Sequence, residues 1–161
     1  LTLPEDVIDQ QVAKMFLFSC FTGLSIANLL SLTYKQIEND TVKFFREKTK
    51  TWQYQPLSKT ALALIGDTAN CPPDTKVFTT LDYRQCRYRL QKWGKQAGTQ
   101  KTLNFHLGRH TFATLSLTQG VDVFTVQKLI GHKKIATTQI YAKVIDSVKR
   151  KAVDALPQLE L

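Results

Sequence analysis

With 161 residues, 43% of them apolar, the chain is long enough for one compact domain with a real core and too short for two large ones. Lys and Arg number 22 against 13 Asp and Glu, and the formal charge of +9 favours a polyanionic partner such as nucleic acid, although a merely basic soluble protein has the same composition. Cys20, Cys71 and Cys86 lie far apart without a CxxC pair, which argues against a disulfide framework or a zinc site and fits a reducing, cytoplasmic setting.

The chain opens at Leu1-Thr2-Leu3 without an initiator Met or a positively charged signal start, so we expect a fragment of a longer protein, with upstream domains absent. From Pro4 the apolar positions Ile8, Val12, Met15, Phe16 and Cys20 recur at helical spacing; Pro4 suits a first turn and Gly23 can end the element. The apolar run from Met15 to Phe21, interrupted by Ser19, is far too short to span a membrane. A second short helix through Ile26, Leu29 and Leu30 follows. Between Thr41 and Leu57 the period changes to two, with Val42 and Phe44 on one face, Trp52 and Tyr54 on the return run, and polar Thr49-Lys50-Thr51 between them. That pattern predicts a β-hairpin with a basic tip, and the lack of an Asn-Gly or Asp-Gly pair there leaves its turn type open.

Ser58 suits the N-cap of a helix through Leu62 to Ile65, Asn70-Cys71-Pro72-Pro73 marks a loop, and Asp82 caps a helix through Cys86, Leu90 and Trp93 that ends near Gly94 or Gly98. The last third predicts a helix from Asn104 to Gln119, a stop at Gly120, a helix capped by Asp122 and ended by Gly131, and a short helix carrying Tyr141. Beyond it Ile145, Val148, Ala152 and Leu156 form a sparse apolar stripe beside Lys149-Arg150-Lys151, so residues 142–161 read as an amphipathic tail helix, stopped by Pro157, that docks in cis or on a neighbour. The elements sum to an α+β chain, mainly α, with a small antiparallel hairpin or sheet.

His106 and Arg109 stand three apart at a helix start and can face one site, where Arg offers a planar fork of donors to phosphate oxygens, and His110 adds a third polar group. Taken alone, the triplet also reads as a solvated helix face. Its context changes that reading. His106-Leu107-Gly108-Arg109-His110-Thr111-Phe112-Ala113-Thr114, then Leu129-Ile130-Gly131-His132, then Tyr141 nine residues after that histidine, resemble the signature of the tyrosine recombinases and phage-type integrases. Upstream, Thr22-Gly23-Leu24-Ser25-Ile26-Ala27-Asn28-Leu29 looks like the family's first box, and Lys48-Thr49 followed by Pro56-Leu57 looks like its β-hairpin. The resemblance covers nearly all of residues 1–161, as a helical catalytic domain with a small antiparallel sheet.

The resemblance implies a site-specific recombinase or integrase that cleaves and rejoins double-stranded DNA by transesterification, without metal or other cofactor. Tyr141 would be the nucleophile that leaves a 3′-phosphotyrosine and a free 5′-hydroxyl. Arg109 would neutralise the non-bridging oxygens of the transition state, His132 would be a second donor, Lys48 would protonate the leaving 5′-oxygen, and His106 would assist proton transfer or orient the phosphate. Family members act as homotetramers on paired sites, while an isolated domain fits a monomer. Thr49, Lys50, Thr51, Lys133, Lys134 and the series Arg84, Arg87, Arg89, Lys92 and Lys95 are candidates for contact with the DNA backbone, His110 is a further candidate DNA-binding residue, and Arg87 with Gln91 shares a helical face able to enter a major groove.

One position departs from the family: its first box normally reads Thr-Gly-Leu-Arg, and Ser25 stands here in place of that second phosphate clamp. The same serine resembles integrases of conjugative transposons. Strand alternation sets Arg46 two residues from Lys48 on the same face, so Arg46 is our candidate for the missing cation. Ser25 also fits a catalytically weakened domain that keeps DNA binding. A helix-turn-helix transcription factor across Leu115 to Leu129 leaves Tyr141, Lys48 and the His106/Arg109 pair unexplained, and a metal-dependent nuclease lacks paired carboxylates.

Overall fold

The computed structural model describes residues 2–46, 50–68, 70–78, 80–131 and 154. The chain is described in two compact units, Leu1–Thr111 and Phe112–Leu161, each with its own buried apolar cluster. The first runs α1 (Val7–Thr22), α2 (Ile26–Ser31), a 3₁₀ turn (Tyr34–Gln36), β1 (Ile37–Glu38), β2 (Thr41–Arg46), β3 (Thr51–Pro56), α3 (Lys59–Ile65), α4 (Tyr83–Gln96) and the start of α5 (Phe105–Thr118).

Helix α1 is the axis of this unit and packs against both α3 and α4. Its buried residues, Val12, Ala13, Met15, Phe16, Phe18, Ser19 and Cys20 among them, cover more than half of the helix circumference rather than one narrow stripe. The Asp6 carboxylate accepts the Asp9 N–H at 2.8 Å and sets the start of the helix, which leaves Pro4 outside the first turn where spacing had placed it. At the other end Gly23 adopts φ 68°, a left-handed conformation that a Cβ disfavours, and returns its N–H to the Ser19 carbonyl.

The sheet is antiparallel in the order β1-β2-β3. Strand β1 is absent from the sequence expectation; Asn39 and Asp40, both at positive φ, join it to β2 through a two-residue turn whose twist matches the strands. The register pairs Lys43 with Tyr54, Phe45 with Trp52 and Val42 with Gln55. Val42, Phe44 and Gln55 are buried on one face. On the other, Lys43 Nζ lies 5.0 Å from the Trp52 ring and 5.4 Å from Tyr54, both of which stay exposed.

Local capping chemistry starts α3 and α4. Ser58 Oγ accepts the Ala61 N–H, and Asp82 exchanges hydrogen bonds with Gln85 in a reciprocal box. Helix α4 turns Cys86, Leu90 and Trp93 inward, and the Phe16 ring of α1 meets Trp93 and Phe105 edge-on, each at 6.3 Å. In the second unit, the later part of α5 and α6 (Val123–Ile130) enclose Ala113, Leu117, Val126 and Ile130, with Asp122 capping α6 and Gly131 ending it as the sequence predicts.

Asp9 is only 5% exposed, and α4 supplies its partners: Arg89 Nη1 at 2.5 Å and Lys92 Nζ at 3.3 Å. Burial alone would raise this carboxyl, but hydrogen bonds from Arg89 and Lys92, reinforced by their charges, hold it below the usual range. A carboxyl depressed in the folded state stabilises fully above its unfolded value of about 3.9, and that contribution is lost as pH falls through the folded value. Asp9→Asn is expected to lower stability at neutral pH by about 1–3 kcal/mol and to flatten the acid limb of unfolding. Chemical denaturation from neutral to strongly acid pH checks this, and an unchanged acid limb would remove the ion cluster from the account of how α4 is held to α1.

Candidate active site

The site is built where α1 ends and α5 begins. Asn104 starts α5 by accepting the Leu107 N–H on its side-chain oxygen at 2.9 Å. The helix then passes so close to α1 that a Cβ on Gly108 would lie 3.1 Å from Ser19 Cβ and Oγ and 3.3 Å from Phe16. Glycine avoids that crowding. That approach carries the next residue, Arg109, to the end of α1, where its Nη1 donates to the Gly23 carbonyl at 2.6 Å. A charged donor on a helix C-terminal carbonyl meets the negative end of the helix dipole, which favours the cation in place.

His106 and His110 stack edge-on, ring centres 4.3 Å apart. Burial lowers the His110 pKa below the ordinary imidazole value, and the charges of His106 and Arg109 add to the effect, so the neutral ring is its favoured form at neutral pH.

Ser25 is the N-cap of α2, accepting the Asn28 N–H and donating its own proton to Asn28 Oδ1 at 2.7 Å. Asn28 Nδ2 in turn donates to the Phe45 carbonyl at 3.1 Å, which ties the start of α2 to the end of β2. Sequence reading treats Ser25 only as a lost arginine; the Ser-x-x-Asn spacing was the available signal for this cap.

A cleft of about 450 Å³ opens between these elements, lined by Ser25, Tyr83, Arg87, Gln91, His106 and Arg109 among others. It unites four residues proposed from sequence, His106, Arg109, Arg87 and Gln91, and adds Tyr83 from α4. Arg46 is not in its lining: the guanidinium carbon sits 5.5 Å over the Phe44 ring, half-buried, and burial lowers its pKa. Lys50 and Thr51 are exposed at the hairpin, with Lys50 at φ 53°. Arg89 and Lys92, proposed as backbone contacts, are engaged by Asp9 instead. Tyr141, His132, Lys48, Thr49, Lys133 and Lys134, and the tail 142–161 apart from Asp154, lie outside the described residues.

The profile of the phage integrase family matches residues 4–147. Tyrosine recombinase XerA of Saccharolobus solfataricus is 36% identical, the alignment covering 84% of this chain and 47% of that protein. Tyrosine recombinase XerC of Shewanella amazonensis is 31% identical, over 92% of this chain and 57% of its own. The chain thus spans about half the length of these relatives. Among solved structures, a crystal structure of XerA recombinase aligns with TM-score 0.67 at 22% identity, over 99% of this chain and 68% of that one. The Tn1549 transposon integrase in complex with a circular intermediate DNA aligns with TM-score 0.68 at 19% identity, over 94% of this chain and 60% of that one. These two likenesses show the same fold: mainly helical with a small three-stranded antiparallel sheet.

The tight passage at Gly108 yields a measurable expectation. Gly108→Ala forces Ser19 and Phe16 to move by a few tenths of an ångström, which costs about 1–3 kcal/mol in a packed interior. Denaturant unfolding should register the loss; stability equal to the parent would mean that α5 lifts from α1 at little cost.

Proposed function

The chain belongs to the phage integrase family, and from that membership we propose that it is the catalytic part of a site-specific recombinase that cuts and rejoins double-stranded DNA. The observation that carries this reading is the cleft in which Arg109, anchored on the Gly23 carbonyl, stands beside His106 at the start of a helix. A guanidinium fixed before substrate arrives stabilises a phosphorane without reorganising during the reaction.

In the proposed reaction the Tyr141 oxygen attacks the scissile phosphorus, a 3′-phosphotyrosine forms, and the 5′-oxygen leaves with a proton from Lys48. Arg109 and His132 hold the non-bridging oxygens, and His106 assists transfer of the phenol proton or orients the phosphate. The bond energy stays in the phosphotyrosine ester, so rejoining by a 5′-hydroxyl regenerates the phosphodiester and the free tyrosine with no external energy source. Lys50, Thr51, Thr49, Lys133 and Lys134 contact the DNA backbone, and the active assembly is a homotetramer on paired sites.

Ser25 cannot replace an arginine, because its hydroxyl is neutral and already caps α2. Arg46 supplies the missing charge in this reading, since the Asn28 bond to Phe45 keeps the end of β2 beside the first box. In this reading its guanidinium leaves the Phe44 ring, 5.5 Å away, to make a charge-assisted bond to the phosphate.

Two experiments test this. Nicked duplexes of varied sequence trap a covalent protein–DNA adduct if the chemistry is right, and Tyr141→Phe abolishes it; an adduct that survives in the variant would sink the Tyr141 assignment. Arg46→Ala is expected to reduce the rate of adduct formation by roughly 10²–10³-fold, the scale of losing one transition-state donor. Parental rates with Arg46→Ala alongside failure of Lys48→Ala would remove Arg46 from the site.

A further inference from the structure

The outer face of the sheet carries a cluster that belongs neither to the core nor to the cleft. Trp52 and Tyr54 alternate on β3 and are 54% and 64% exposed, an amount of aromatic surface that a fold with no use for it would bury. The register sets Phe45 opposite Trp52, ring centres 5.4 Å apart and edge-on, and Lys43 opposite Tyr54. Lys43 Nζ lies against both exposed rings, and among the described residues no carboxylate pairs with it. These contacts order the rings before any partner arrives, so little rotamer freedom is left to lose on binding.

Flat rings beside an uncompensated cation suit a partner that combines flat π faces with negative charge, and an unpaired nucleic acid strand is that partner. Bases inside a duplex keep their faces in the stack, so a duplex offers this surface only its phosphates. Trp52 and Tyr54, two residues apart on an extended strand, are spaced by about 6.8 Å. That is about twice the 3.4 Å rise of a stacked strand, so two neighbouring bases spread by this factor would each meet one ring. Glu38 carries the negative charge of this face and pairs with Thr41, at the end of β2 remote from the hairpin, which leaves the Phe45 and Trp52 end to a polyanion.

One rung of the hairpin connects this face to the cleft. Asn28 donates to the Phe45 carbonyl and is itself bonded to Ser25, which lines the cleft. Lys48, to which the reading above assigns the leaving 5′-oxygen, stands three residues after Phe45 and four before Trp52, within at most about 10 Å of chain from Phe45. Resting on the DNA-recombinase reading above, we propose that the outer face of β2 and β3 holds unpaired bases of the strand that carries the freed 5′-hydroxyl, stacked on Trp52 and Tyr54. Cleavage leaves the end of that strand held by base pairing, and it must part from its complement before it can attack a phosphotyrosine in another duplex. Stacking on the two rings offsets part of the cost of that unpairing.

Fluorescence titration with a short oligothymidine tests it, against an abasic strand of equal length and a duplex. The chain has two tryptophans and Trp93 is only 4% exposed, so quenching reports on Trp52. Oligothymidine is expected to quench, the abasic strand and the duplex not. Anisotropy of the labelled oligothymidine should show roughly 10-fold weaker binding by Trp52→Leu, which keeps apolar area without a π face, and near-parental binding by Trp52→Phe. Equal affinity for the abasic strand, or parental binding by Trp52→Leu, would overturn the proposal. So would a change in Trp52 emission that follows protein concentration without DNA, because a second copy then covers the face. Stacking needs no Tyr141 chemistry. An adduct on nicked duplex without quenching by oligothymidine thus defeats this inference alone, whereas quenching without any adduct defeats the strand-cleavage reading alone.

Discussion

Three carbonyl oxygens at the end of α1 are each taken by a side chain. Gln55 of β3 donates to Thr22 at 2.5 Å, Arg109 of α5 to Gly23 at 2.6 Å, and Ser19 of α1 itself to Leu24 at 2.9 Å. The last carbonyls of a helix have no partner inside it, and leaving one buried and unbonded costs about 1–3 kcal/mol. Satisfying this helix end therefore recruits the sheet and α5 to one place. The demand is structural, yet the side chain that answers for Gly23 is a guanidinium that also lines the cleft.

The same loop explains what Ser25 does. Its hydroxyl starts α2 and fixes Asn28, and Asn28 reaches the backbone of β2. An arginine at this position would bring charge into the cleft and give up the cap; the serine brings the cap and gives up the charge. The junction between the first box and the sheet is thereby tightened where the cleft has become less positive, and the strand it grips is the one that ends in Arg46.

Much of the helical skeleton is legible in the sequence because caps are local chemistry. Ser58, Asp82 and Asp122 each accept N–H groups two or three residues ahead, and Gly23 and Gly131 turn left-handed where their helices stop. What spacing missed depends on partners distant in the chain. Asp9 reads as an ordinary residue in a first turn until Arg89 and Lys92, some eighty positions away, close over it. Gln55 reads as polar alternation and is buried, since the Thr22 carbonyl waits on that face. Strand β1 was legible in principle, because Asn39-Asp40 tolerates the positive φ of a tight hairpin turn, but two residues are too short to show a period. In the site itself the spacing of His106 and Arg109 alone also fits a solvated helix face and the family resemblance singled them out, whereas Gly108 matters for a reason only packing reveals.

A formal charge of +9 says little about how much of the surface meets DNA until its cations are sorted by what they already touch. Arg89 and Lys92 neutralise a buried carboxylate, and Lys43 lies over two aromatic rings of the outer sheet face. These cations are committed to the fold, and removing them would act on stability before it acted on binding. Arg109 belongs to both classes at once: one of its donors holds the end of α1, and the plane of its fork is set by that bond. A planar guanidinium fixed at one donor has little rotational freedom left to lose on binding an anion, so in the proposed reaction the hydrogen bond that holds the end of α1 would also lower the entropic cost of engaging a phosphate.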